Sequence, residues 1–218
     1  MKTPFTTEQF FDVFIHYNTS VWPVQILLNL IALFVIFIAV RKFLFTDSVI
    51  SWVLALFWLW MGIVYHLIFF SSINPAAYVF GALFIIQGLL FIYAGVIKKS
   101  VSFDYRTDAL HVTGIVFILY ALFIYPMLGI AFGHVYPASP TFGLPCPTTI
   151  FTFGILLWSV RMPKWLVIIP FIWSIIGFTA VLNFGVAEDS GLLITGVISS
   201  ILLLFRKKKE FNSAEQSV

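Results

Sequence analysis

Residues 21–42 read VWPVQILLNLIALFVIFIAVRK, an apolar run that ends on the basic pair Arg41 and Lys42. About 20 apolar residues of α-helix cross the hydrocarbon core of a bilayer, so this run predicts a membrane-spanning helix with its basic end at the lipid headgroups. Similar runs recur along the chain and predict crossings at 21–40, 49–71, 76–97, 109–133, 147–160, 165–184 and 191–205. We therefore expect an all-α integral membrane protein, a seven transmembrane helix bundle.

The basic residues fall on one side of this predicted bundle. Eleven of the twelve Lys and Arg residues lie in alternate gaps between the apolar runs, and only Lys2 lies elsewhere. The eleven are Arg41, Lys42, Lys98, Lys99, Arg106, Arg161, Lys164 and residues 206–209. Because basic residues in short loops mark the cytoplasmic side, the pattern predicts the N-terminus outside and the C-terminus in the cytoplasm.

The composition excludes a water-soluble domain. Hydrophobic residues make up 61% of the chain, charged residues make up 10%, and the mean hydropathy is +1.05. Soluble domains carry about 25% charged residues. The net charge of +3 comes from basic residues beside apolar runs, where they orient helices and meet anionic lipid. The expected partner is the lipid bilayer, and nucleic acid is excluded.

Three regions are expected, an outer interfacial helix, a seven-helix transmembrane domain and a basic and polar cytoplasmic tail, at 1–20, 21–205 and 206–218. In the first region, Thr6 and Gln9 have the spacing of a capping box. Apolar side chains then gather on one face of a helix, opposite Glu8 and Asp12. We expect a short amphipathic helix on the outer surface, acting as a lid or an anchor, and no cleavable signal peptide.

The fifth and seventh apolar runs are shorter than a bilayer requires. The long stems of Arg161 and Arg206 at their inner ends can snorkel to the headgroups, and local thinning of the bilayer absorbs the rest. The alternative is a re-entrant hairpin of the fifth and sixth runs, which would bury Arg161 and Lys164 at mid-membrane at high cost. We expect seven crossings, and parallel repeats of the first and last three stay an open alternative.

Small residues and prolines predict how the helices pack. Three glycines of the third run recur every seventh residue, at Gly81, Gly88 and Gly95. They line one stripe on which a neighbouring helix can approach closely. Gln87 beside this stripe is expected to bond a neighbouring helix, and Pro126 and Pro170 are expected to bend the fourth and sixth runs.

Most ionisable side chains outside the basic loops fall on or near the predicted outer face. They are Glu8, Asp12, His16, His66, His134, Cys146, Glu188 and Asp189. His66 lies in the outer third of the second crossing, where an ionisable group is functional more often than not. The alternative is a neutral imidazole bonded to Tyr65, Asn74 or a backbone carbonyl. The candidate ligand-binding residues are His16, Tyr65, His66, Asn74, His134 and Cys146.

The outer-face set contains the ligand types that zinc and copper prefer, so His66, His134 and Cys146 are candidate metal ligands. No two of them have the spacing of a helical H-x-x-x-H pair, and scattered structural histidines are the alternative to a transition metal. Cys146 lies in the proline-rich segment HVYPASPTFGLPCPTT at 134–149, which we expect to fold back over the bundle. Its thiol at a helix start is either reactive or metal-binding, or else a small buried apolar group.

Several activities lack their residues in this sequence. The seventh run, GLLITGVISSILLLF, has no lysine for a retinal Schiff base, and His66 and His111 lie near opposite surfaces, which disfavours haem. No catalytic triad, P-loop or dinucleotide fingerprint is present. The single cysteine excludes an intramolecular disulfide. We predict no catalytic residue and no recognisable cofactor apart from the hypothetical metal, and an enzyme is disfavoured.

A series of short motifs runs along nearly the whole chain. They are FTTEQFFDVFIHYN, VWP, YHLIFF, INPAA, HVYP, LPCPTTIFTFG, IPFIWSIIGF and GVAED. In these motifs the chain resembles a family of small bacterial multi-pass membrane proteins of unassigned function. The resemblance implies a multi-pass protein of the bacterial cytoplasmic (inner) membrane, and it supplies no substrate and no catalytic residue.

Three function classes stay open. The first is a small-solute or metal-ion transporter or binding protein with a site on the outer face, because kinked helices and a polar outer rim leave the bundle itself as the working part. The second is a non-catalytic membrane sensor or partner-binding subunit. The third is a membrane enzyme that uses Cys146 or the histidines. The oligomeric state is open as well.

Overall fold

A computed structural model describes residues 4–206, and this part is all-α except for one short two-stranded sheet. Helices account for 76% of the described residues. Six helical spans of the described part are long and apolar enough to cross a membrane: Val24–Arg41, Thr46–Ser72, Ala77–Ile97, Ala109–Ala131, Lys164–Phe184 and Ala187–Phe205. The all-α, membrane-type architecture is therefore confirmed, and each span overlaps one of the predicted crossings.

The elements follow one another in a simple order. The α-helices are α1 (Thr7–Ser20), α2 (Val24–Arg41), α3 (Thr46–Trp60), α4 (Ala77–Phe91), α5 (Ala109–Leu119), α6 (Tyr125–Ala131), α7 (Pro145–Leu157), α8 (Ile168–Gly177), α9 (Thr179–Phe184) and α10 (Ser190–Phe205). Extensions of π-helix lie at Met61–Phe69, Ile92–Ile97 and Tyr120–Ile124, and 3-10 turns lie at Phe70–Ser72, Lys164–Val167 and Ala187–Asp189. Strand β1 (Ser102–Phe103) pairs antiparallel with β2 (Ser159–Arg161).

The bundle has two chemically different ends. The α1 end comprises α1, the loop 132–144 between α6 and α7, and the turn 185–189 into α10. The basic end comprises the two strands and the charged loops around them. Every Lys and Arg among residues 4–206 lies at the basic end. The predicted one-sided charge is thus a property of the folded bundle, whichever way it faces in a membrane.

Helix α1 is amphipathic, as the sequence predicts. The Gln9 N–H donates to Thr6 Oγ1 (3.2 Å) and the Thr6 N–H donates to Gln9 Oε1 (2.9 Å), which forms the expected capping box. The helix buries Phe10, Val13, Phe14, Tyr17 and Asn18. It leaves Glu8, Asp12 and His16 exposed. Its apolar face packs on the end of the bundle, where Phe10 stacks on Phe184 with ring centroids 4.4 Å apart.

Helix α7 is the centre of the bundle. All of its residues except Cys146 are buried, mainly against α5, α8 and α10. It runs from Pro145 at the α1 end to Leu157 beside β2 at the basic end. We expected snorkelling of Arg161 and local thinning of the bilayer to compensate for the short length of α7, and this explanation is wrong. Protein rather than lipid surrounds α7, so it does not have to match the hydrocarbon thickness, and the Arg161 side chain instead donates to the Lys99 carbonyl (3.1 Å).

The predicted glycine stripe packs α4 and its extension against α3 and its extension. A methyl group on Gly81 would lie 3.1 Å from the carbonyl oxygen of Gly62. A methyl group on Gly88 would lie 3.1 Å from the carbonyl oxygen of Ala55. Gln87 bonds a neighbouring helix as expected, because its Nε2 donates to the Leu166 carbonyl (3.1 Å). These predictions of close helix approach are confirmed.

A second close approach, between α5 and α7, was not predicted. A methyl group on Gly114 would lie 2.7 Å from the Gly154 carbonyl oxygen and 2.7 Å from the Trp158 indole nitrogen. A methyl group on Gly154 would lie 2.9 Å from the Gly114 carbonyl oxygen. The two backbones touch at this point, so the absence of both side chains lets α5 lie directly on the central helix.

The prolines explain only some of the irregular helical stretches. The π-helical stretch Tyr120–Ile124 directly precedes Pro126, as expected from a ring that removes a backbone donor. Pro170 lies in the first turn of α8, where a missing donor is tolerated. The π-helical stretches Met61–Phe69 and Ile92–Ile97 contain no proline and were not predicted. The first of them carries His66.

Side-chain bonds close the basic end. Asp47 accepts hydrogen bonds from the Lys42 ammonium (2.7 Å), the Ser102 hydroxyl (3.0 Å) and the Phe103 N–H (2.8 Å). Asp108 caps α5 by accepting from the His111 N–H (3.0 Å), and the side-chain bond with His111 lowers the pKa of Asp108. His111 is therefore a structural residue of this end.

Replacing Gly114 by Ala tests the contact between α5 and α7. The added methyl group meets a backbone oxygen that cannot move aside, so we expect a loss of about 1–3 kcal/mol in the free energy of unfolding. Thermal unfolding of the purified protein in detergent measures the loss. Val116→Leu adds a methylene on the exposed face of α5 and is the control, for which little change is expected.

Candidate functional site

A cavity of about 170 Å³ lies beneath α1. Its wall comes from α1, the extension of α3, the loop 132–144, the start of α7, the turn 185–189 before α10, and helices α4, α6, α8 and α9. Most of the lining is apolar and aromatic, and the polar side chains on the wall are Tyr65, His66, Asn74, Tyr125, Cys146, Trp173, Thr179, Asn183 and Asp189. An apolar cavity of about 150 Å³ holds one benzene molecule. This cavity therefore has room for a solute built on a single ring.

His66 is the least satisfied polar residue of the wall. It is fully buried, and neither nitrogen of its imidazole has a hydrogen-bond partner. Aromatic rings surround it instead: the ring centroids of Phe84 and Trp173 lie 4.8 Å and 5.1 Å from that of the imidazole. The bonded imidazole that the sequence offered as an alternative is not present. An unpaired buried polar group costs about 1–3 kcal/mol, which a suitable ligand would offset.

Trp173 and Cys146 lie side by side on the wall. The Trp173 Nε1 also lacks a hydrogen-bond partner. A methyl group on Gly177 would lie 3.4 Å from both the Cys146 sulfur and the Trp173 indole nitrogen. The Cys146 thiol faces the carboxylate of Asp189. The same methyl group would lie only 2.6 Å from Leu192 Cδ2, so the glycine at position 177 lets α8 pack closely on α10 beside the thiol and the indole.

Asp189 brings a buried carboxylate to the same wall. The side chain is 3% exposed, and its Oδ1 accepts a hydrogen bond from the Tyr125 hydroxyl (2.5 Å). The neighbouring Glu188 is fully buried as well; its Oε1 bonds His134 Nδ1 (2.9 Å) and its Oε2 has no partner. Two adjacent carboxylates are therefore enclosed next to the cavity, and neither pairs with a Lys or Arg of the described residues.

The proline-rich loop is bonded to the C-terminal half of α1. Asn18 is the hub: its Nδ2 donates to the carbonyls of Pro137 (2.7 Å) and Ser139 (2.8 Å), and its Oδ1 accepts from the Thr141 hydroxyl (2.7 Å). The expected folding of this loop back over the bundle is confirmed. Together α1 and the loop form a lid over the cavity.

Tyr17 adds a second tie between the lid and the bundle. Its hydroxyl donates to the Gly143 carbonyl (3.2 Å) and accepts from the Trp60 Nε1 (2.8 Å). Burial raises the pKa of Tyr17, and the bond from Trp60 lowers it by less, so the phenol stays neutral. The positive φ of Gly143 (101°) allows its carbonyl to meet the phenol.

Four of the six candidate residues line the cavity, namely Tyr65, His66, Asn74 and Cys146. His66 and Cys146 therefore lie on the wall of the same cavity. His134 lies beside the cavity, where it bonds Glu188 and its ring lies 4.9 Å from that of Phe11. His16 is exposed on the opposite face of α1. Within residues 4–206, no three His, Cys, Asp or Glu side chains gather into a metal-binding group.

Sequence reasoning did not select Asp189, Tyr125 or Trp173. Asp189 was placed at the outer rim, which is correct for its position in the chain, but its burial depends on how α6, α7 and α10 meet. In the sequence, Trp173 and Tyr125 are simply aromatic residues inside apolar runs. Such residues are common in membrane helices and do not indicate a site. Three-dimensional contact is what joins them to His66 and Cys146.

Asn18→Ala removes the hub between α1 and the loop. Four hydrogen bonds are lost, three of them to the loop and one from Gln25 Nε2 (3.3 Å), and two loop carbonyls lose their donor, so we expect a loss of about 1–3 kcal/mol in stability. Amide hydrogen exchange of α1 and of the loop 132–144 should become faster, while exchange at the basic end should not change. Thr19→Ala is the control, because the Thr19 hydroxyl bonds only carbonyls of its own helix. Equal effects of both changes would contradict the hub.

Comparison with known proteins agrees with the resemblance seen in the motifs. The profile of DUF6064, a family of unknown function, matches residues 7–215. No curated protein and no solved structure matches the chain. Since the match covers nearly the whole sequence, including every residue of the cavity wall that lies after Phe5, the protein belongs to the DUF6064 family.

Proposed function

We propose that the protein is a bacterial inner-membrane protein that binds a small amphiphilic solute in the cavity beneath α1, as a step in transporting that solute. The observation that carries the proposal is His66, which is fully buried on the wall of an apolar cavity with both ring nitrogens unpartnered. Ligand sites are typically apolar cavities with a few polar groups that fix orientation. This cavity has that composition.

Transport is favoured over the other classes by the chemistry of the two ends. Side-chain bonds of Asp47 and Asp108 close the basic end, whereas the α1 end holds a cavity under a lid. A site enclosed near one end and closed at the other suits one state of an alternating-access cycle. A catalytic thiol is disfavoured, because Cys146 faces the Asp189 carboxylate, whose negative charge disfavours the thiolate, and does not face an imidazolium or another cation.

A sensor is the second candidate. Its support is that α1 lies directly on the cavity and exposes Glu8, Asp12 and His16 on its other face. A solute that shifts the position of α1 on the bundle would also shift this polar face, and a partner bound there would sense the change. Flux separates the two candidates, since a sensor binds the solute without moving it.

The proposed topology has seven crossings, with the α1 end outside and the basic end in the cytoplasm. Its support is that α7 runs between the same two ends as the six longer spans and that the described Lys and Arg all lie at one end. The lid and the cavity then face the outside.

Cysteine labelling in intact cells tests this orientation. In a Cys146→Ser background we expect His16→Cys, on the exposed face of α1, to react with a membrane-impermeant maleimide without permeabilisation. Leu44→Cys is the matched variant at the basic end, where Leu44 is 97% exposed, and it should react only after permeabilisation. The reverse pattern would overturn the orientation.

His66→Phe tests whether the imidazole is needed for ligand binding or for the stability of the fold. Phenylalanine has a similar shape and leaves no unpaired nitrogen, so the ligand-free variant should be as stable as the wild type or up to about 1–3 kcal/mol more stable. His134→Phe is the control, because it leaves Glu188 without its partner and should lower the Tm. If both variants lose stability equally, the imidazole is held by the protein and the proposed site is wrong.

Binding and flux are measured with single-ring probes, benzyl alcohol and benzylamine. A ligand that binds only the folded protein raises its Tm by mass action. We expect at least one probe to raise the Tm of the wild type and not that of His66→Phe. In proteoliposomes, uptake of the binding probe above that of His66→Phe supports transport, and binding without uptake supports the sensor. No rise in Tm with either probe would overturn the proposed function.

A further inference from the structure

The α1 end is an electronegative environment. Among residues 4–206 it contains the carboxylates Glu8, Asp12, Glu188 and Asp189 and no Lys or Arg. At the basic end, hydrogen bonds to backbone carbonyls or to Asp47 hold the side chains of Lys42, Arg161, Lys164 and Arg206. A low-dielectric cleft with charge of one sign concentrates solutes of the opposite sign. The field at the cavity therefore favours a cation.

The Asp189 carboxyl group has no cationic partner among the described residues. Its neighbours are a phenol, Tyr125, and a thiol, Cys146, both of which donate hydrogen bonds without charge. A buried carboxylate is normally paired with a cation or a metal. His134 is the one imidazole near the acid pair, and it bonds Glu188 instead. The unfilled position next to Asp189 is the cavity itself.

Aromatic rings form the rest of the wall that a cation would meet. The rings of Phe80 and Trp173 lie edge to face, with centroids 5.5 Å apart, and each also contacts His66. Tyr65 lies on the other side of His66, at 5.1 Å. Aromatic faces attract ammonium groups, and the attraction is strongest where water is excluded. The same rings provide the apolar surface for an organic substituent.

Resting on the proposed binding role of the cavity, we propose that its ligand is a small organic cation, a protonated amine with one aromatic or compact apolar substituent. The ammonium group donates hydrogen bonds to the Asp189 carboxylate and to an unpartnered nitrogen of His66. The substituent lies against Trp173 and Phe80. An ammonium that keeps N–H donors fits better than a quaternary one, because His66 and Asp189 both accept hydrogen bonds.

A ligand series of constant shape tests the charge requirement on the wild-type protein. Benzylamine is cationic at pH 7, benzyl alcohol is its neutral counterpart, and benzoate is an anion of similar size. Isothermal titration of the full chain in detergent should give an affinity for benzylamine at least about tenfold above that for benzyl alcohol, with no binding of benzoate. The wild-type series alone decides between a cation and a neutral ligand.

Asp189→Asn assigns the charge to one residue. The variant should lose about tenfold or more in affinity for benzylamine and keep its affinity for benzyl alcohol. Asp12→Asn is the matched control, because Asp12 is exposed at the same end and does not line the cavity. It should leave both affinities within about twofold, since exposed charges are screened by salt.

The outcomes separate the two proposals. If benzyl alcohol binds the wild type as tightly as benzylamine does, the cation inference is overturned and the solute-binding function stands. If benzylamine is preferred but Asp189→Asn keeps that preference, the carboxylate is not the partner and the inference is also overturned. If none of the three probes binds, the proposed function fails together with it.

Discussion

Polar groups enclosed in an apolar bundle must find partners inside the protein, and this requirement governs the structure. It is met through most of the interior. The Trp58 indole donates to the Thr152 hydroxyl (3.1 Å), whose own proton goes to the Thr148 carbonyl (2.8 Å). The Trp158 indole donates to the His111 carbonyl (3.0 Å). In the first two turns of α7, the Thr148 hydroxyl accepts from the Gly143 N–H and the Thr152 hydroxyl donates to the Thr148 carbonyl, so both are paired inside the protein.

His66 stands out against that background. Several buried hydroxyls and amide oxygens of the described residues lack one partner, but His66 is the side chain that leaves two polar atoms unpaired. It lies on a π-helical stretch, a type of helix that is often found at functional sites. The cavity, the carboxylate of Asp189 and the aromatic rings converge on the same wall. Each feature has an ordinary explanation alone, and their coincidence is what indicates a ligand.

The sequence predicts the features that depend on local patterns. Hydropathy identified every long span, the Thr6 and Gln9 spacing identified the cap of α1, and a seven-residue period identified the glycine stripe of α4. Helical periodicity could also have shown that His16 does not belong to the candidate site. Glu8, Asp12 and His16 are spaced four residues apart, so they share one face of α1, and that face was already recognised as polar. The family resemblance did not correct this, because its motif includes His16.

Features that depend on which helices are neighbours could not be predicted. Gly114 and Gly154 lie on different runs, and neither run shows a glycine period that would reveal their contact. The short length of α7 indicated a strained crossing, whereas its actual cause is enclosure by protein on all sides. The burial of Asp189 follows from the meeting of α6, α7 and α10 at one point. For the same reason, the sequence could place most of the candidate residues at one end of the bundle, but it could not show that a buried carboxyl group, Asp189, lies beside them.

The energetics favour a cavity kept for a ligand over an accident of packing. The side chains that line the cavity of about 170 Å³ lack the packing contacts that a filled core would give them. The unpaired imidazole adds a cost of about 1–3 kcal/mol. A phenylalanine at position 66 would remove the unpaired nitrogens, and this change does not conflict with the helical pattern. Because a bound amine would fill the void and pair the nitrogen and the carboxylate at once, a single ligand accounts for features that packing leaves separate.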